Sequence, residues 1–155
     1  MESTLASNAG ALRVLANRNY ANTSALNNSG VLQRGGGTFS APGITNALAG
    51  QIFGFGTVGV RPTNTGIIRS ARGTLAFSSG IQGGSGTVQV DAGSVLDPSA
   101  ACSASSADLL IHYGTTPGSL NLGNNAFTAT AHHTHANFGS RNPLAPRANA
   151  GCPGP

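Results

Sequence analysis

The sequence has no lysine and no tryptophan, and only 8% of its residues are charged. Eight arginines stand against three aspartates and one glutamate. This excludes an ordinary helical bundle, which is built from Ala, Leu, Glu and Lys together. Glycine does not recur at every third position, which excludes a collagen. Aromatic residues make up 5% and do not interleave with basic ones, so single-stranded nucleic acid finds no stacking platform. A pI near 10.1 rests on a net charge of only +4. The arginines are scattered from Arg13 to Arg147, and no nucleic-acid partner is expected. No apolar run approaches the ~18 residues of a membrane span. Residues Met1 to Asn8 lack the basic region and apolar stretch of a secretory signal. Either the protein is intracellular, or it is a piece whose export signal lies elsewhere. The two cysteines, Cys102 and Cys152, have no metal-ligand spacing. A disulfide between them, worth about 4 kcal/mol in loop-closure entropy, and two separate thiols both remain open.

What is abundant is turn chemistry. The 155 residues include 23 Gly and 14 Asn, with Ser and Thr frequent. Leu, Ile, Val and Phe together number 32, near the floor for burying a core. A phrase recurs: Asn, a small residue, Gly or Ser, any residue, then an aliphatic. It runs from Asn8 to Leu12, Asn22 to Leu26, Asn28 to Leu32 and Asn64 to Ile68. A second phrase, Gly-Thr-hydrophobic, begins at Gly37, Gly56, Gly73 and Gly86. Asn and Gly tolerate positive φ and reverse the chain at low cost. Short apolar runs follow them, such as Thr87-Val88-Gln89-Val90-Asp91, in which Val88 and Val90 share one face.

Strands of three to five residues, turns between them and a period near 20 describe a solenoid in which equivalent strands stack coil upon coil. Such stacking explains the scarcity of charge, because like charges repeated at the ~4.8 Å strand spacing repel. The expected fold is all-β: a parallel β-helix of six or seven coils over residues 1–135, with an irregular Pro-containing tail over 136–155. A Gly-rich sandwich or capsid-like barrel and a partly disordered chain are the alternatives. The inward positions should include Leu12, Val14, Leu26, Leu32, Phe39, Ile44, Ile52, Val58, Ile67, Leu75, Val88, Val90, Leu120 and Leu122.

Several stretches resemble the phrasing of large bacterial autotransporter-type β-strand-repeat proteins. They are Gly35 to Asn46, Gly54 to Val58, Thr63 to Arg69, Gly86 to Gly93, Gly118 to Gly123 and Asn137 to Ser140. The resemblance covers roughly residues 8 to 150. It implies the right-handed handedness, an extracellular or cell-surface location, and a structural or adhesive module without catalytic residues. This sequence shows neither the export signal nor the outer-membrane barrel of such proteins, which suggests a fragment of a longer protein. A host surface or a glycan would be a natural partner.

No catalytic, cofactor or metal site is assigned. Gly54-Phe55-Gly56-Thr57-Val58-Gly59 matches G-x-G-x-x-G, but Arg61-Pro62 follows instead of a helix and no acidic residue lies between Glu2 and Asp91. The match reads as a glycine turn between coils. Gly83 to Val88 approaches a calcium-binding nonapeptide but has Val88 where an aspartate is needed. In a strand, His133 and His135 would share one face and leave His132 opposite. With no carboxylate or thiol nearby in sequence, these histidines read as solvated polar residues. Asp91, Asp97 and Asp108 are the only aspartates. Asp91 and Asp97 could pair across a turn, as a polysaccharide-cleaving β-helix enzyme would require. That enzyme and a virion capsid-decoration or fibre protein are the competing functions.

The ends carry one more expectation. The N-terminal segment forms either a helical cap through Leu5, Leu12 and Leu15 or a first strand through Gly10 to Val14. At the other end Pro143, Pro146, Pro153 and Pro155 are poor strand extenders. The N-terminal edge should therefore be adhesive, and self-association should run through the solenoid ends.

Overall fold

The computed structural model describes residues 2–98, 103–112, 114–123 and 125–135. Among these there is no helix. Every strand pairing is parallel, and the chain winds about six turns of a β-solenoid. The tail at 136–155, Cys102 and Cys152 lie outside the described residues.

Three ladders run along the stack. The first aligns Leu12, Leu32, Ile52, Ile68, Val88, Leu109 and His132. The second aligns Tyr20, Phe39, Val58 and Phe77, and Leu75, Leu96 and Leu120 continue it. The third aligns Asn8, Asn28, Asn46 and Asn64 behind a file of Leu26, Ile44 and Pro62. Period-two alternation turns one residue in each pair inward, so the buried core is a single file from each flank: Leu32, Ile52, Ile68 and Val88 beside Phe39, Val58 and Phe77.

The inward positions hold with two exceptions, Ile67 and Leu122, neither of which joins the core. Ile68 is fully buried and Ile67 is only half-buried. Four residues beyond the phrase's asparagine stand Leu12, Leu32 and Ile68 alike, so Ile67 falls one position short of the inward file. Leu12 and Leu120 pack partly buried against the core, because they lie in coils nearer the ends of the described stack. Tyr20, Phe77, Ile81 and Leu96 are further core members.

The strands are longer than the three to five residues expected. Val31–Ser40, Gln51–Val58 and Ile67–Phe77 each run around a corner from the first ladder to the second. In Gln51–Val58 the bend falls at Gly54 and Gly56, with φ of 117° and 113°, a region closed to most side chains. Gly54 and Gly56 of the G-x-G-x-x-G match thus bend one strand inside a coil, and Gly59 follows directly after it. The N-terminal segment is strand, not helical cap: Ala11–Val14 pairs with 31–34, and a turn at Ala16 and Asn17 with positive φ follows it.

The second phrase mixes unlike positions. Thr38 pairs with Thr57, but Leu75 pairs with Gly56, and Thr87 pairs with Ile67 on the first ladder. Its uneven spacing came from combining two flanks.

Candidate functional site

The polar interior is built from the Asn phrase. Asn8 Nδ2 donates to Asn28 Oδ1 at 2.7 Å, Asn28 Nδ2 to Asn46 Oδ1 at 2.8 Å, and Asn46 Nδ2 to Asn64 Oδ1 at 2.8 Å. Each amide also donates to a carbonyl of the following coil, at Val31, Gln51, Ile67 and Thr87. Asn28, Asn46 and Asn64 are wholly buried. An amide carries donors and acceptors at once, so one residue type can pass hydrogen bonds along a dry file. Glycine follows the asparagine at this corner because coils approach too closely for a side chain: a Cβ on Gly30 would strike the Gly10 carbonyl, and one on Gly50 the Asn28 carbonyl.

Asn46 was absent from the sequence phrase because Leu48 and Ala49 lengthen its link to Gly50. The two extra residues loop outward, leaving Leu48 81% exposed. Asn22, which does match the phrase, lies outside the ladder. Its Oδ1 accepts from Leu5 N, and its Nδ2 donates to the Leu5 and Ser24 carbonyls.

The second interior polar group is a cation. Arg34 sits in register between Val14 and Gly54 and is 1% exposed. Its Nη2 donates to the carbonyls of Gly36, Gly37 and Thr57, and the guanidinium lies 5.9 Å from the Phe39 ring centre. Nε and Nη1 are buried without partners. Two coils on, Ser70 Oγ does the same work, donating to the Gly73 and Val95 carbonyls. In these two coils the position before the corner thus carries a donor for carbonyls that the bend turns inward, while Gly54, between them in register, has no side chain. Burial alone pulls the Arg34 pKa down from the ordinary guanidinium range to about 10. The charged form is therefore disfavoured in the folded state. That penalty is constant below pH about 10 and is relieved as the pH climbs above it. Replacing Arg34 with Met removes this titration. The difference in unfolding free energy between the parent and R34M should be flat from pH 6 to 9 and should move in the parent's favour above pH 10. Urea titrations of both proteins across that range check it.

The concave surface lies at the first coil. A cavity of about 300 Å³ is lined by Leu12, Arg13, Val14, Leu15, Arg18, Asn19 and Tyr20. Strand Ala11–Val14 pairs on one side with 31–34, and among the described residues no strand pairs with its other side. Segments Glu2–Ser3 and Ser7–Asn8 cover the second and third flanks but not this one. The result is an open backbone edge beside an apolar mouth with two arginines.

The carboxylates are placed apart and already engaged. Asp91 accepts from Arg69 Nε at 2.9 Å and Nη2 at 2.9 Å, and from Gln89 Nε2 at 3.1 Å. Arg69 in turn lies 5.6 Å from the Phe53 ring centre. Asp97 stands across the turn at 92–93, in the second ladder, and accepts from Asn121 Nδ2. Asp108 is in register with Thr87 in the first ladder. His132, His133 and His135 fall in the last described strand, Ala126–His135, and their side chains are not described. Among the described side chains no three His, Cys, Asp or Glu gather to hold an ion. No helix among the described residues is long and apolar enough to cross a membrane.

Neither the protein-family models, nor the curated proteins, nor the solved structures contain a match to this chain.

Proposed function

We propose that the chain is a non-catalytic structural or adhesive β-helix module of a secreted or surface-exposed repeat protein, of the kind its phrasing resembles, and that it associates through its solenoid ends. The observation that carries this reading is the open edge at Ala11–Val14 beside the mouth of Leu12, Val14 and Tyr20. Unpaired backbone N–H and C=O groups on a strand edge are a template for another strand, and a solenoid end supplies the flat stacking surface as well. Leu15, 42% exposed at the rim, adds apolar area to the contact. The interior is consistent with a scaffold: among the described residues, Asn8, Asn28, Asn46 and Asn64 bond to one another and to backbone, and Arg34 Nη2 bonds to backbone carbonyls. A glycan or host surface fits the module as a partner through the resemblance alone.

Sedimentation at several concentrations tests the reading. The parent should show concentration-dependent association, and Leu15→Glu, which places a charge at the rim without touching the buried file, should weaken it at least tenfold. A species that stays monomeric at high concentration with full β content would overturn the self-association. Degradation of a polysaccharide, abolished by Asp91→Asn or Asp97→Asn, would replace the module reading with the enzyme one.

A further inference from the structure

Charge is sorted along the axis of the stack. In a solenoid, position in the sequence is height along the axis. Residues 2–77 hold Arg13, Arg18, Arg34, Arg61, Arg69 and Arg72 against Glu2 alone. Residues 78–135 hold Asp91, Asp97 and Asp108 and no arginine. Arg141 and Arg147 lie outside the described residues. Arg69 and Asp91 pair where the two parts meet. Arg13 and Arg18, both exposed, stand at the mouth of the first coil. Asp97 and Asp108 lie on strands one step from the opposite end.

Both ends also present backbone edges and incompletely covered core. At the positive end the outermost strands are Ala11–Val14 in the first ladder and Glu2–Ser3 in the second. At the negative end they are 131–134 in the first ladder and Ser119–Leu120 in the second. Among the described residues no strand pairs with the outer side of any of them. Leu5 and Leu12 at one end, and Leu120 and Phe127 at the other, pack against the core but stay partly buried. Ala11–Val14 and 131–134 are the first and last rungs of one parallel register.

From this polarity we infer that copies of the chain join head to tail, with 131–134 of one copy adding as a parallel strand to Ala11–Val14 of the next. The inference rests on the end-association reading above and fixes which end meets which. Head-to-head contact sets Arg13 and Arg18 of two copies against each other, and like charges directly opposite are destabilising. Tail-to-tail contact does the same with the aspartates. Head-to-tail contact continues the stack in its own register, covers the partly buried leucines and brings arginines toward aspartates. Stacking along one axis joins two different surfaces and never closes a ring, so it grows an open filament.

The test uses the full chain. Sedimentation at about 10 mM salt, where charges act over ~30 Å, should show species that keep lengthening as concentration rises. Arg13→Glu with Arg18→Glu reverses the charge of the mouth. Thr128→Lys with Thr130→Lys places cations at two exposed positions of the last described strand. Each double variant alone should assemble about tenfold more weakly than the parent or worse, because every contact in the filament uses both ends. An equal mixture of the two should regain assembly, since one keeps its far end, the other keeps its mouth, and the altered ends complement each other. A parent that stops at a dimer would overturn the head-to-tail arrangement while sparing end association. So would a Thr128→Lys, Thr130→Lys protein that assembles like the parent, the sign of head-to-head pairing. A parent that is monomeric at every concentration would overturn the end-association reading itself, and this inference with it. The choice between dimer and filament is read on the parent and stands even where a variant fails to fold.

Discussion

Replacing Asn46 with alanine is expected to lower the unfolding free energy by about 3 kcal/mol, because two buried amide groups lose their partners at ~1–3 kcal/mol each. Asn28 Nδ2 loses its acceptor and Asn64 Oδ1 loses its donor. The Ile67 carbonyl loses a third bond. Asn8→Ala should cost less, about 1 kcal/mol, since it leaves only Asn28 Oδ1 without its donor inside the ladder. An isosteric Asn46→Asp keeps the shape but faces one acceptor with another at Asn64, so at neutral pH it should be worse than alanine. Urea unfolding of the three variants checks the order. A loss at Asn46 no greater than at Asn8 would mean that the ladder is not carried through the middle of the stack.

The second large effect is expected at Phe39. Its side chain is wholly buried, its ring stacks on Tyr20 with centres 5.5 Å apart and planes 11° from parallel, and the Arg34 guanidinium lies against it. Phe39→Ala should cost about 3–5 kcal/mol through lost burial and the cavity left behind. Against a typical total of roughly 5–15 kcal/mol, that is enough to unfold the N-terminal coils near body temperature. Leu48→Ala removes a side chain of similar hydrophobicity that is 81% exposed, and should change stability by less than about 0.5 kcal/mol. Thermal unfolding of the two variants separates burial from mere hydrophobic content.

The architecture was legible because a parallel in-register stack repeats its chemistry along the chain. Asn8, Asn28 and Asn64 announced the corner, and the scarcity of charge fitted stacking at strand spacing. What was hidden depended on coil length. Asn46 escaped notice because an outward loop of two residues shifted its glycine. At Ile67 and Ile68 the offset from Asn64 points to Ile68, although two adjacent isoleucines show no alternation of their own. Arg34 gave no sign of being interior: an arginine among Gln33 and Gly35 reads as surface, and only the corner carbonyls that it bonds explain its burial.

The stack itself is tested most directly by methyl contacts. In a chain with labelled Ile, Leu and Val methyl groups, Leu32 should show nuclear Overhauser effects to Ile52, Ile52 to Ile68, and Ile68 to Val88, in single file along the axis. Leu32 should show none to Val88, which lies three coils, about 14 Å, away. Contacts that instead join neighbours across short turns, with Leu32 meeting Val88 or Ile52 missing Ile68, would contradict the parallel solenoid.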